Sequence, residues 1–310
     1  MISVKRQEKT RLQGINRGDL PRYMLALGFF DCLHVGHREL IANLCALSEL
    51  YDLKPAVFTF DDNFFKVLGE TDKLVYTLEE RRKMLADEFK IEAVFVGAPS
   101  SEFLKMTADQ FLSYLENLNV GGIIAGEDFR FGRNAQAGMQ ELYAWAVSKG
   151  IICVTQPIKS EWNKKISSST IRKIIENGEI SIVNGMLGRR YFLESEVVRG
   201  RGVGHKYGFP TANLNISEDK VLPLDGVYDT RVQIGERWFK GVTNVGTCPT
   251  FDFHKRTVET HILDFDEDIY GEIIRVEFVD RIRCVVKFSS PEELKAQIDN
   301  DVKRVRESND

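Results

Sequence analysis

The sequence changes its patterning once, and that change limits the chain to folds with two differently built halves. From Tyr23 to Gly178, short apolar runs alternate with helical patterns: Tyr23 to Leu27, Ala56 to Phe60, Ala93 to Val96, Gly122 to Ala125 and Ile151 to Thr155 read as strands. A loop and, usually, a helix follow each one. Leu40, Ile41, Leu44, Leu47 and Leu50 recur at the spacing of one helix face, while Thr77 with Glu80, and Thr107 with Gln110, are capping-box starts. Strand, helix, strand with near-continuous apolar strands predicts a parallel sheet covered on both faces. Ligands of such sheets sit beyond the carboxyl ends of the strands, so function is expected in the loops after Leu27, Ala125 and Thr155.

After about Gly185 the helical patterns vanish until the end of the chain. Tyr191 to Val198, Tyr228 to Ile234, Phe239 to Asn244, Val258 to Leu263 and Ile273 to Val279 are β-prone runs separated by turns such as Leu222-Pro223-Leu224-Asp225-Gly226. Strands at this spacing suggest a small antiparallel barrel. One helix closes the chain, with Ser290 as N-cap, Pro291 at the first helical position, Glu293 completing the box and Leu294, Ile298, Val302 and Val305 as its buried stripe. At ~100 to 200 residues per domain, 310 residues favour two domains, placed at 1–185 and 186–310.

With 42 Lys plus Arg against 46 Asp plus Glu, neither half is expected to be a nucleic-acid platform. The 5 cysteines form no Cys-x-x-Cys pair and no zinc-finger spacing, so reduced thiols are expected rather than a structural metal or a disulfide framework. The segment Met1 to Asp19 is charged and lacks an apolar core, and no run approaches the ~18 apolar residues of a membrane helix. The expectation is a cytoplasmic protein with no membrane partner.

Chemistry-bearing residues gather after the predicted strands. His34 and His37 stand three apart where the first helix begins, and Gly36 between them lets a backbone come close to a ligand. Each histidine alone reads as a polar helix-start residue; the pair at one helix N-terminus reads as an anion grip. Ser167-Ser168-Ser169-Thr170-Ile171-Arg172 opens another helix with hydroxyls, free N–H groups and a cation, and Gly126-Glu127-Asp128-Phe129-Arg130-Phe131-Gly132 follows a strand.

His34-Val-Gly-His37 and Ser167-Ser-Ser-Thr-Ile-Arg172 resemble the two signatures of the nucleotidylyltransferase superfamily, and Gly126 to Gly132 narrows the resemblance to its FMN adenylyltransferase module. The resemblance implies a Rossmann-like domain that transfers AMP from ATP to FMN, giving FAD and pyrophosphate. It implies His34, His37 and Arg172 as catalytic, with Gly28, Phe30, Asp31, Gly36, Asp128, Ser168 and Thr170 holding ATP or its phosphates and Phe60 and Phe64 bordering the flavin. The chain departs from the family pattern at Cys32, where glycine is usual, and at Asp62-Asn63-Phe64, where Pro-His-Pro is usual. A side chain at Cys32 would be strained if that turn needs positive φ.

The second half opens with Val198-Arg199-Gly200-Arg201-Gly202-Val203-Gly204, a glycine-rich stretch suited to folding over phosphates. It is no Walker A loop, since no Gly-Lys-Ser/Thr follows, and the strand-like surroundings exclude a dinucleotide fingerprint. Gly208-Phe-Pro210-Thr211-Ala-Asn213 resembles the signature of riboflavin kinases, as do Leu224 to Tyr228, Gly241 to Phe251, Val258 to Asp264 and Tyr270-Gly271. That resemblance implies a six-stranded barrel moving the γ-phosphate of ATP to the ribityl hydroxyl. Glu259 would be the general base, Thr211 and Asn213 would contact Mg²⁺, and Gly200, Gly202, Gly204, Gly208 and Pro210 would line the phosphates. Arg283 would neighbour the flavin, in a region where Cys284 and Val285 replace the acidic residues usual in relatives. Alternation puts Glu259, His261 and Leu263 on one strand face and Val258, Thr260 and Ile262 on the other. His205, His254 and His261 read as surface or pocket-edge residues.

The leading expectation is a bifunctional enzyme of FAD biosynthesis using ATP and Mg²⁺, with riboflavin, FMN and FAD as substrates or products. The alternatives are a riboflavin kinase whose first half is weakened or repurposed, motivated by Cys32 and the missing Pro-His-Pro, and a flavin-binding regulator without turnover. A homo-oligomer is compatible with the sequence.

Overall fold

The computed structural model describes residues 22–69, 73–157, 160–161, 164–200, 208–247 and 256–308. The chain forms two compact units, Met1–Ser168 and Ser169–Asp310.

The first unit runs β1 (Tyr23–Leu27), α1 (Val35–Leu50), β2 (Lys54–Phe60), α2 (Phe64–Leu68), α3 (Leu78–Phe89), β3 (Ala93–Gly97), α4 (Ser101–Leu104), α5 (Ala108–Glu116), β4 (Val120–Gly126), α6 (Met139–Lys149) and β5 (Ile152–Gln156), followed by the short antiparallel pair β6 (Ser160–Glu161) and β7 (Lys164–Lys165). The main sheet is parallel in the order β3-β2-β1-β4-β5, with Leu25 level with Ala56 on one side and Ile123 on the other. Leu25, Ala56, Phe58, Ile123 and Ala125 are fully buried, as the apolar runs require. Both predicted capping boxes form: Thr77 and Thr107 accept from the backbone of Glu80 and Gln110, whose side chains reach back. Helix α1 buries Leu40, Ile41 and Leu44, but Leu50, expected on the same stripe, is 72% exposed. It is the last residue of the helix. Strand order reverses at β1, with β2 and β3 on one flank and β4 and β5 on the other. The crevice at such a reversal lies beyond the ends of β1 and β4.

The second unit contains α7 (Ser168–Glu176, beginning at the division), α8 (Ile180–Leu187), β8 (Tyr191–Val198), β9 (Ala212–Leu214), β10 (Gly226–Ile234), β11 (Arg237–Thr247), β12 (Arg256–Ile262), β13 (Ile273–Arg283) and α9 (Pro291–Glu307). The strands close an antiparallel barrel in the order β10-β11-β12-β9-β8-β13. Its interior holds Tyr191, Tyr228, Val232, Ile274 and Phe278 together with a polar relay: Thr230 donates to the Gly241 carbonyl, and the hydroxyls of Thr230, Thr243 and Thr260 follow one another at 2.8 and 2.9 Å. Each buried hydroxyl is thereby satisfied across three strands. Burial pushes the Tyr228 phenol up to about 12, so it stays a donor to the Leu224 carbonyl. Asn184 of α8 bonds the Phe278 carbonyl and the Tyr191 N–H, seating that helix on the barrel.

Helix α9 begins at Ser290, whose hydroxyl accepts from Glu293 N, with Pro291 in the first turn. Val302 and Val305 pack on Val227, Val242 and Leu263. Lys240 Nζ donates to the Val305 and Ser308 carbonyls, a cation where the helix dipole is negative. Asp301, 3% exposed, accepts from Arg283 Nη2 at 2.8 Å and from its Nε, so the helix is also tied down electrostatically. Strand β9, three residues long and directly after Pro210-Thr211, escapes sequence patterning because it is too short to show a period.

Candidate active sites

In the first unit the chain leaves β1 through Gly28, whose N–H donates to the Phe58 carbonyl at 3.2 Å. A Cβ there would lie 2.8 Å from the Phe30 ring, so the close approach requires glycine. The positive-φ residues of the turn are Phe30 (57°) and Leu33 (46°), flanking Cys32 rather than including it. The replacement of the family's glycine therefore carries no left-handed strain of its own. Phe30 is buried, its ring meeting that of His37 edge-on with centroids 5.1 Å apart. Asp31 is fully buried and accepts from the N–H groups of Val75 and Tyr76 at 3.0 and 3.3 Å, fastening the turn to the segment before α3.

His34 is the N-cap of α1. Its Nδ1 accepts from the His37 N–H at 3.2 Å, which places the proton of the neutral ring on Nε2. The two imidazoles stack at 3.7 Å with 16° between planes, and Gly36 occupies the turn between them. A pair of N–H donors at the positive end of a 16-residue helix is suited to phosphate oxygens.

Beyond β2, Phe60 lies 4.2 Å from Phe64 and stacks at 6.1 Å on Phe29, so the two rings expected to border a flavin are neighbours in one aromatic wall. The wall is held from below by Arg81 of α3, which sequence patterning offered no reason to single out. Arg81 is 1% exposed and donates from Nη1 to the Phe29 carbonyl and Thr59 Oγ1, and from Nη2 to the Phe60 carbonyl and Asp62 Oδ1. Its guanidinium lies 4.8 Å from the Phe29 ring centroid. Asp62, standing where relatives have proline, also accepts from Leu78 N at 2.7 Å. The segment is thus braced by an ion pair. An arginine on a helical pattern ordinarily faces water.

After β4, Glu127 N bonds the Gln156 carbonyl and Phe129 N the Gly126 carbonyl, closing a tight turn that leaves Asp128 exposed. Ser168 Oγ lies 3.3 Å from Cys32 Sγ. Thr170 and Arg172 lie on α7 in the second unit, whose buried face is formed by Ile171 and Ile175.

In the barrel, Glu259 on β12 pairs with Asn213 on β9 and with Asn244 on β11. Residues directly opposite in a sheet point to the same face ~4.5 to 5.5 Å apart, so the three polar side chains form one row across three strands. Their neighbours Ala212, Leu214, Val258, Thr260 and Val245 are buried on the other face, as the alternation predicts. Gly200, at the end of β8, lies against Asn213: a Cβ would be 2.3 Å from its amide nitrogen. His261 Nδ1 is 2.8 Å from the Pro210 carbonyl, and its ring meets Phe209 edge-on at 5.5 Å. Read from sequence as a surface or pocket-edge residue, it also fastens Gly208-Phe-Pro-Thr. Gly208 has φ of 86°.

A pocket of about 360 Å³ opens beside Thr211, lined by Pro210, Asp266, Asp268, Ile269 and Tyr270 among others. Arg199 lies 4.8 Å from the Tyr270 ring. Arg283, expected beside the flavin, has its guanidinium on Asp301 and the Cys284 carbonyl. Gly202, Gly204, His205 and His254 lie outside the described residues. The described cysteines, Cys32, Cys45, Cys153 and Cys284, are thiols rather than disulfides, and among the described residues no helix is long and apolar enough to cross a membrane.

Comparison with known proteins matches the FAD synthetase family model to residues 17–170 and the riboflavin kinase model to residues 187–309. The bifunctional riboflavin kinase/FMN adenylyltransferase of Bacillus subtilis is 32% identical over 286 residues, 90% of each chain. That of Escherichia coli K12 is 32% identical over 290 residues, 92% of each. A solved structure from Streptococcus pneumoniae, named as a macrolide-efflux protein, matches with TM-score 0.85 at 30% identity, covering 95% of this chain and 98% of that one. With a parallel-sheet unit and a closed barrel each carrying its own signature residues, the chain belongs to the family of bifunctional riboflavin kinase/FMN adenylyltransferases.

Proposed function

We propose that the barrel and the parallel-sheet unit divide the two reactions between them, residue by residue, as follows. In the barrel Glu259 takes the proton of the ribityl 5'-hydroxyl as that oxygen attacks the γ-phosphorus of ATP. The observation that carries this reading is Glu259 standing directly across from Asn213 of the Pro-Thr-Ala-Asn segment. A carboxylate beside oxygen donors is the right arrangement, because a neutral hydroxyl is a poor nucleophile and needs a base in reach. Thr211 and Asn213 supply oxygen donors beside the Glu259 carboxylate, a set that suits a hard divalent cation, and Mg²⁺ held there would neutralise the β- and γ-oxygens. Gly200, Gly202, Gly204, Gly208 and Pro210 are assigned to the phosphates, and the pocket beside Thr211 to the nucleoside. Arg283 serves the flavin end by anchoring the segment after β13 through Asp301.

For the adenylyl transfer, the FMN phosphate attacks the α-phosphorus in line, with no covalent enzyme intermediate. Nε2–H of His34 and the His37 ring hold the charge that builds on the phosphates at the N-terminus of α1. Gly28 and Gly36 give backbone access to the nucleotide, and Phe30 and Asp31 act by holding the turn in shape. Asp128 is assigned to the adenylyl-site ligand, Phe60 and Phe64 to the flavin, and Ser168, Thr170 and Arg172 to the departing pyrophosphate on the family's pattern. The functional boundary is placed at 185/186, which keeps the Ser167–Arg172 signature with the first activity. Cytoplasmic flavins and ATP are the proposed partners, and the near balance of charge supports small molecules rather than nucleic acid.

The test is one chromatographic assay: riboflavin, ATP and Mg²⁺ with the pure protein, FMN and FAD resolved over time. FMN appearing first and FAD following supports both assignments. FMN accumulating without FAD, also when FMN is supplied, would establish the reading in which the first half is repurposed, and flavin binding without ATP consumption would establish a regulator.

A further inference from the structure

Cys32, His34 and His37 bring a thiol and two imidazoles together where α1 begins. One ligand atom of each lies within 4.8 Å of the others, and Cys32 and His34 are buried. The proposed adenylyl transfer gives Cys32 no role, so the thiol is left over from the reaction. We propose that these three side chains form a binding site for a thiophilic divalent transition metal, zinc foremost, and that its occupancy shuts off adenylyl transfer. The proposal rests on the assignment of His34 and His37 to the nucleotide phosphates.

The ligand chemistry selects the ion. A thiolate and two imidazoles suit Zn²⁺ and Co²⁺, while Mg²⁺ takes oxygen donors and is a poor competitor for sulfur. In a tetrahedral site with bonds of about 2.0 to 2.3 Å, ligand atoms lie roughly 3.3 to 3.8 Å apart, so the three must close by about 1 Å. The two rings are stacked at 3.7 Å, which aims their lone pairs in parallel, and one must turn for both to meet an ion. His34 Nδ1 is also engaged by the His37 N–H. Ligation by His34 therefore costs α1 its cap, through loss of that bond or a shift of the ring proton. On binding, the Cys32 thiol gives its proton to solvent as the sulfur–metal bond forms, and its 3.3 Å contact with Ser168 Oγ is given up. No redox change is involved, and water fills the remaining position.

The functional consequence follows from the same geometry. Rings turned onto a metal present lone pairs to it and no longer aim N–H groups at phosphate. Metal and ATP then exclude one another at the first site, and the barrel, which lacks these residues, keeps working. FAD formation would stop under excess zinc while FMN formation continues.

The test uses the full-length protein. Titration with Co²⁺ should give a thiolate-to-metal charge-transfer absorption saturating at one equivalent and displaced by Zn²⁺. Cys32→Ser and Cys32→Gly should each abolish it, and His37→Gln should weaken binding at least tenfold. In buffered free Zn²⁺, FAD formation from FMN should fall with a rising apparent KM for ATP. The two Cys32 variants should need at least tenfold more zinc for the same loss, with riboflavin phosphorylation in the same sample as internal control. No charge-transfer band, or a band that survives both Cys32 variants, overturns the site. Zinc inhibition equal in wild type and both variants overturns the control role. If Cys32→Gly does not fold, Cys32→Ser decides alone. Because the Co²⁺ spectrum does not depend on turnover, it decides for or against the site even if the first unit makes no FAD.

Discussion

The two units place their chemistry on opposite kinds of surface. In the parallel sheet the central strands are covered on both faces, so the residues assigned to chemistry stand at or beyond the strand ends: His34 and His37 after β1, Phe60 as the last residue of β2, Asp128 after β4. In the barrel one face of each strand looks outward, so the proposed base Glu259 and its neighbour Asn213 stand within β12 and β9 themselves. What positions a residue therefore differs. The first site depends on turns and a helix cap, the second on strand register, and a register slip by one residue would exchange Glu259 for buried Thr260.

The largest effect should come from the residues nearest the chemistry. Glu259→Gln keeps the shape of the side chain and removes its basicity; we expect FMN formation to fall about 10² to 10⁴-fold. FAD formation from supplied FMN should be unchanged. His37→Ala should do the reverse, costing about tenfold to a hundredfold in FAD formation while riboflavin phosphorylation is spared. Loss of both activities in either variant would refute the division of labour between the units.

A second pair of variants compares how each unit braces its site. The first buries the cation, Arg81, against the part-exposed Asp62; the second buries the anion, Asp301, against Arg283. Removing the outer partner leaves a buried charge without its counter-charge, a loss of about 3 kcal/mol or more for a fully buried pair and less where water reaches the partner. Asp62→Ala, with its carboxylate a third exposed (34%), should cost about 2 kcal/mol and raise the KM for FMN through the loosened Phe60 to Phe64 wall. Arg283→Met should cost about 3 kcal/mol. Urea unfolding checks both, and a smaller loss for Arg283→Met than for Asp62→Ala would reverse the ranking argued from burial.

How much of this was legible in the sequence tracks the same contrast. Local signals were readable where they act locally: the capping boxes at Thr77 and Thr107, Ser290 before Pro291, the apolar strands, and the alternation that turns Glu259 outward. The histidine pair was readable because both members lie on one turn. What escaped depends on partners distant in sequence. Arg81 meets Thr59 and Asp62 from 22 and 19 residues away, Asp301 meets Arg283 from 18, and His261 meets Pro210 from 51. Nothing in the neighbourhood of an arginine or an aspartate says whether such a partner exists, and the default expectation for a charged residue is solvent. Cys32 stands out in sequence only for the glycine it replaces; its convergence with the two histidines is made by the fold of the turn.

His261 offers a milder way to sharpen the comparison. Its proposed role is to position: the ring holds the Pro210 carbonyl and, through it, the segment carrying Thr211 and Asn213. His261→Leu keeps an apolar contact to Phe209 and removes the hydrogen bond, worth about 1 kcal/mol, so kcat/KM for riboflavin phosphorylation should fall about fivefold. His261→Asn, which retains a donor, should recover part of the loss. A fall in stability without a change in phosphorylation would show the bond to be structural only.

The smallest expected effect uses the helix caps as a control for locality. Thr77 and Ser290 do the same physical work, each accepting from the backbone three residues on, but Thr77 starts the helix that carries Arg81 while Ser290 starts α9. Replacing either by alanine should cost about 1 kcal/mol. If sites in the sheet unit depend on helix placement and sites in the barrel on strand register, Thr77→Ala should also shift the KM for FMN slightly, through Arg81 and the Phe60 wall. Ser290→Ala, whose helix packs on Val227, Val242 and Leu263 rather than on Glu259 or Asn213, should destabilise by the same amount and leave riboflavin phosphorylation untouched. Equal kinetic effects from the two would show that the barrel site leans on its closing helix as heavily as the sheet site leans on α3.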